Sequence, residues 1–163
     1  MRSLIAVMFL LSVFSLKAQT TYPKVTGYFG ILHPIVTISS ESTQFNFSNN
    51  YVVGTPTGIN LWKNAKIGYS LEVVPFLKSE NGNTRMYNVL FHPGVLVKLN
   101  PSLTFAGRVA FETTGRFGFT PIFTKTVIKK KDHSFYLSVP FPFRFGNNAI
   151  ATVGTGLQVG IAF

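Results

Sequence analysis

Several stretches of the chain alternate apolar with small or polar residues at a period of two, the mark of strands whose successive side chains point to opposite faces. Over 103–114 one face carries Leu103, Phe105, Gly107, Val109 and Phe111, and the other Thr104, Ala106, Arg108, Ala110 and Glu112. Over 134–145 the apolar face is Phe135, Leu137, Val139, Phe141, Phe143 and Phe145, set against Ser134, Tyr136, Ser138, Pro140, Pro142 and Arg144. Over 151–163, Val153, Leu157, Val159, Ile161 and Phe163 oppose Gly154, Gly156, Gln158 and Gly160. These runs are longer than the usual globular strand of about 5–6 residues. They suit a tilted membrane-crossing strand of about 9–11 residues plus its ends.

Further strands are predicted at 25–37, 51–62, 66–78, 86–99 and 117–129. Asn-centred turn signals at 63–65, 81–83, 100–102 and 146–148 separate them. The polar segment 39–50 reads as an exposed loop. The count is eight, an even number, as in single-chain bacterial barrels. The fold expected is all-β, an antiparallel up-and-down transmembrane β-barrel. Passages beginning at Pro56, Pro93 and Pro142 share one pattern, an alternating stretch, an Asn turn and a second alternating stretch, which is hairpin grammar and not a solenoid repeat. Pro56, Pro75, Pro93, Pro121, Pro140 and Pro142 fall inside strands, where bulges are expected to accommodate them.

Composition reinforces this pattern. Aromatic residues make up 15% of the chain and charged residues 12%, about half the usual charged share. A chain so aromatic and so weakly charged fits a barrel with a lipid-facing outer surface. There is no cysteine, which excludes a disulfide framework, a thiolate metal site, a catalytic thiol and a lipid-modified N-terminal Cys.

The first segment is read separately. Arg2, the uncharged apolar run 4–16 and the sequence Lys17-Ala18-Gln19 have the layout of a secretory signal peptide cut near Ala18. The run is too short for a membrane helix of about 20 residues. The domains expected are a signal peptide over 1–18 and a barrel over 19–163. Loss of Arg2 and Lys17 removes two positive charges from the formal +10 of the whole chain.

The chain ends with Phe163, and Leu157, Val159 and Ile161 precede it at alternate positions. This ending resembles the C-terminal strand of bacterial outer-membrane barrels, which the barrel-assembly machinery reads. The whole of 19–163 resembles the small eight-stranded outer-membrane barrels of OmpA- or OmpX-like size. Lys17-Ala18-Gln19 and the ending 159–163 are similar to small barrels of Bacteroidetes-type bacteria. The resemblance implies a Gram-negative outer-membrane location and contact with outer-membrane lipid and lipopolysaccharide. It also implies a monomeric chain with an envelope-structural or loop-display role. A narrow, porin-like conduit is the first alternative. A soluble secreted barrel binding an apolar ligand is the second, and would need the apolar faces turned inward.

Glu72, Arg108, Glu112 and Arg144 fall on the faces expected to line the lumen. Buried charges must be paired, so an ion-pair network is expected there, as a structural plug or as the gate of a narrow conduit. The lumen-facing glycines, among them Gly54, Gly58 and Gly160, would relieve crowding in an interior that eight strands leave barely wide enough for side chains. Tyr51, Trp62, Tyr69 and Tyr87 are candidate interfacial aromatics. His33, His92 and His133 do not share metal-ligand spacing, and His92 is expected to face the lumen beside Asn88. No metal or cofactor is expected. Small barrels that modify lipid A with His and Ser are the enzymatic alternative. Here His133 and Ser134 are adjacent and so point to opposite faces, which leaves no visible catalytic site. The run Lys129-Lys130-Lys131 suits a solvated turn or anionic lipid headgroups better than nucleic acid, which an exported chain without a basic helix is not expected to bind.

Overall fold

A computed structural model describes residues 22–48 and 50–163; the leader expected at 1–18 lies outside them. The described residues form eleven β-segments and one antiparallel sheet. In chain order these are β1 (Lys24–Ile38), β2 (Thr43–Phe45), β3 (Tyr51–Gly54), β4 (Thr57–Trp62), β5 (Ile67–Glu80), β6 (Asn83–Lys98), β7 (Leu103–Glu112), β8 (Phe117–Lys129), β9 (Ser134–Pro140), β10 (Phe143–Phe145) and β11 (Thr152–Ala162). β11 pairs back onto β1 from Tyr28↔Ala162 to Ile38↔Val153, so the sheet closes. With β3 and β4 in one position and β9 and β10 in another, the closed path is a ring of eight strands, with β2 folded as a short hairpin arm onto the end of β1. The expectation that 39–50 is only a loop is corrected by β2, whose ladder pairs Val36 with Phe45 and Ile38 with Thr43.

Closure pairs the first and last strands of the ring, and the period-two pattern then sorts residues to the inside or the outside. On β5, Gly68, Ser70, Glu72 and Val74 are buried, whereas Ile67, Tyr69 and Leu71 are exposed. On β7, Ala106, Arg108 and Ala110 are buried, whereas Val109 and Phe111 are exposed. Phe119, Phe123, Phe135, Phe145, Leu157 and Val159 add to the apolar outer surface. The interior holds Ser70, Glu72, Asn88, His92, Arg108, Thr120, Ser138, Arg144 and Gln158. Its apolar content is two small clusters, Val74 with Leu90 and Ala110, and Leu96 with Ala106 and Ile122.

The expected bulges accompany some prolines and not others, one falling directly after Pro75 and one at Pro34. Bulges interrupt the ladders at Pro34/Val36, at Phe76/Leu77 and at Thr126/Ile128. At Pro56 and at Pro140–Pro142, by contrast, the register runs through unshifted: Gly54↔Phe76 and Thr57↔Val73 keep one spacing, as do Ile122↔Pro140 and Phe143↔Phe119. Proline lacks only the N–H, and its carbonyl still serves the ladder. Gly30 N donates to Pro56 O at 2.9 Å, and Gly154 N donates to Pro142 O at 3.0 Å. Each break therefore costs a bond and not a register shift.

Candidate functional site

The interior chemistry is organised in two groups. The first is at mid-height. Cross-strand register aligns Tyr28 with Gly58, Gly58 with Glu72, and Glu72 with His92. Gly58 has no side chain, so the Tyr28 ring lies across it and its hydroxyl donates to Glu72 Oε2 at 2.8 Å. His92 Nδ1 and Glu72 Oε1 are 2.9 Å apart. Arg108 completes the group by a similar route. Gly94 sits between Arg108 and Ser70 in register, and the guanidinium reaches over it. Arg108 Nη2 donates to Ser70 Oγ and to the Tyr28 hydroxyl, each at 2.9 Å, and Nη1 pairs with Glu72 Oε1. Glu72 is 2% exposed and Arg108 7%, so the charges are fully enclosed and survive because they are paired and hydrogen-bonded.

Tyr136 extends this group. Its ring meets Tyr28 edge-on, with centroids 6.1 Å apart, and its hydroxyl accepts from Gln158 Nε2 at 3.0 Å. Glycine again makes room, because a Cβ on Gly160 would overlap the Tyr136 ring.

The second group lies toward the end of the ring where β7 turns into β8. Arg144 Nε donates to Glu112 Oε1 at 2.7 Å, and Nη1 donates to Thr120 Oγ1 at 3.1 Å and to Phe143 O at 3.0 Å. Thr114 donates to the other Glu112 oxygen at 3.2 Å. Arg116 fastens the neighbouring loop through Ile150 O at 3.0 Å and Thr152 Oγ1 at 3.1 Å. Glu72, Arg108, Glu112 and Arg144 thus form two separate pairs, and no hydrogen bond or ion pair among the described residues joins one pair to the other.

The mid-height group divides the interior. One cavity of about 400 Å³ opens toward β2 and Arg116 and is lined by Asn46, Asn88, His92 and Arg144. Another of about 330 Å³ opens toward Lys24 and Phe163 and is lined by Asn60, Trp62, Arg108 and Tyr136. Glu72, Ile122 and Gln158 line both. Among the described residues no group of three or more His, Cys, Asp or Glu side chains could hold a metal ion.

The aromatics expected at the interfaces divide by face. Tyr69 is exposed on the outer surface. Tyr51 lies on the outer side beside His33 and Phe47, its hydroxyl 2.9 Å from His33 Nδ1. Trp62 is a correction. It occupies an inner position of β4, packs on Leu96, Ala106 and Ile122, and carries Lys98 Nζ 4.9 Å above its ring. Tyr87, 50% exposed, is the extra residue of the β5–β6 bulge and also lines the larger cavity, with Lys78 Nζ 6.0 Å from its ring centre. In the terminal strand Leu157 and Val159 are exposed outward, and Ile161 pairs with Phe29. Phe163, 66% exposed, exchanges both backbone hydrogen bonds with Gly27 at 2.9 Å and lays its ring over that glycine. Tyr28, the hub of the mid-height group, was missed in the sequence. Its signal is Gly58 directly opposite, which has meaning only once the β1–β4 register is known.

No family model matches the chain, and no curated protein matches it. Two solved structures align with it. One comes from the de novo design of transmembrane beta-barrels, with a TM-score of 0.49 and 11% identity over 88% of this chain and 97% of that one. The other is the solution NMR structure of de novo designed TMB2.3, with a TM-score of 0.43 and 10% identity over 89% of this chain and 96% of that one.

Proposed function

We propose that the chain is an outer-membrane β-barrel of a Gram-negative envelope. In this reading residues 1–18 are its export signal and the eight-strand ring spans the bilayer. The role is non-enzymatic, that of an envelope scaffold that displays loops to partners. The observation that carries the reading is the inversion of the usual soluble arrangement, with large apolar residues outside and charged or polar ones inside. A soluble ring would leave Phe29, Leu71, Phe91, Phe111 and Phe119 in water, each exposed by 46% or more. A patch of that extent marks a surface meant to be covered. In hydrocarbon every backbone polar group must be satisfied, which a closed ladder achieves. The same inversion counts against a soluble barrel with an apolar ligand inside.

A structural role for the interior is supported by the mid-height group, which fills the cross-section between the cavities with bonded side chains. The conduit reading draws on the three residues that line both cavities. The tests separate these readings. The protein from a membrane fraction should migrate differently on a gel with and without boiling in detergent, and should give no steady conductance in a planar bilayer. Absence of the mobility shift in a soluble exported protein would remove the membrane assignment. A steady conductance would replace the plug with a conduit.

A further inference from the structure

The lysines of the ring are segregated. Among the described residues all but Lys78 lie toward one end, the end of Lys24, of the turns at 63–66, 99–102 and 130–133, and of Phe163. The opposite end carries Glu41, Glu80 and Glu112 as well as Lys78 and its arginines. The smaller cavity opens at the lysine-rich end. Lys24, Lys98, Lys129, Lys130 and Lys131 line it, against one acidic side chain of the rim, Asp132. Glu72 at its floor is already neutralised by Arg108. None of the five lysines forms a salt bridge among the described residues, where the one lysine ion pair is Lys78 with Glu80.

Like charges around a concavity repel one another, and a bound anion relieves that repulsion. The cavity also borders a donor without an internal partner: Arg108 Nε is buried and makes no hydrogen bond, and Arg108 lines it. At about 330 Å³ it is within the range of small-molecule sites. Trp62 supplies an apolar wall beside Lys98. Lysine ammoniums are compact point charges that bind phosphate without demanding one geometry.

We propose that this basic vestibule is a binding site for a phosphate ester, either a free ester or the headgroup of an anionic lipid. The lipid source rests on the membrane reading above, and the free source does not.

Trp62 is the chain's one tryptophan and lines the cavity, so its fluorescence reports occupancy. The protein in uncharged detergent is titrated with glycerol 3-phosphate at constant ionic strength. In parallel it is reconstituted into phosphatidylcholine vesicles with and without phosphatidylglycerol. A saturable change with the soluble ester identifies the free source. A change confined to phosphatidylglycerol vesicles identifies the lipid. Either supports the site, provided the Lys24→Gln/Lys129→Gln variant raises the half-saturating concentration roughly thirtyfold, as about one lysine contact's worth of binding at each position implies. Both positions are exposed, so this variant should fold, and the gel-mobility shift checks that it does. The Lys63→Gln/Lys66→Gln control, outside the cavity lining, should leave the half-saturating concentration within about twofold of the parent. No saturable change with either probe would overturn the site. So would equal weakening by the control, because the charge would then act as a diffuse cloud and not as a cavity.

Discussion

The two ion pairs inside the ring make an informative contrast. Glu72–Arg108 lies at mid-height with side chains 3% and 7% exposed, and Tyr28, His92 and Ser70 add hydrogen bonds to its charged groups. Glu112–Arg144 lies nearer an end, with side chains 13% and 9% exposed, and Arg144 spends one nitrogen on Thr120 and on backbone carbonyls. The difference lies in what happens when one partner is lost. Glu112, its side chain 13% exposed, keeps some access to water. Glu72 lines both cavities but is only 3% exposed, so loss of its partner would leave a largely desolvated, uncompensated charge. The deeper pair should therefore be the more expensive to break, although not the greater net contributor to stability.

Breaking one partner of the mid-height pair gives the largest expected effect. Arg108→Leu should destabilise the ring by about 3–5 kcal/mol, measured by urea unfolding in detergent with gel mobility as the readout. Replacing Glu72 and Arg108 together with Leu should recover most of that loss, because no charge is left stranded. A double variant as unstable as the single one would mean that packing, and not charge pairing, sets the cost.

The outer pair ranks next. Glu112→Gln keeps the shape but removes the charge that Arg144 and Thr114 address, and should cost about 1.5–3 kcal/mol in the same assay. Moving from low to high NaCl should weaken this pair more than the enclosed one. Equal salt sensitivity would erase the contrast in burial.

Inner and outer glycines should differ in the same direction. Gly58→Ala would put a methyl group where the Tyr28 hydroxyl lies, at an expected cost of about 1–3 kcal/mol. Gly107→Ala, on the outer face with its nearest atom 3.7 Å away on Phe105, should change stability by less than about 0.5 kcal/mol. The smallest effect is expected at the rim. Lys78→Gln breaks the partly exposed pair with Glu80 and should cost about 0.2–1 kcal/mol, readable as a small shift in the urea midpoint.

Much of the architecture was legible because a strand's two faces are written into consecutive residues. Leu103 to Glu112 alternates in sequence and alternates in burial, and the inward positions of Glu72, Arg108, Glu112 and Arg144 follow from that parity alone. Parity failed where the chain departs from it. The extra residue of the β5–β6 bulge, Tyr87, also lines a cavity. Trp62 shows a different limit. Its parity is inward, but its amphipathic ring suggested an interface, and only the cluster of Leu96, Ala106 and Ile122 explains why it sits inside. Pro56 and Pro140–Pro142 misled for a third reason, because a missing N–H costs one ladder bond and need not displace the register.

Strand spacing, the sidedness of each strand and the need for internal partners for the charges were written in the order of residues, since these depend on local geometry and on the cost of burying polar groups. Which charges meet was set by the folded ring. Tyr28 joins Glu72 across Gly58, and Arg108 joins Ser70 across Gly94. Those contacts depend on the register between strands far apart in the chain and on closure of the ring. A shift of one residue in any pairing would send these side chains to the other face.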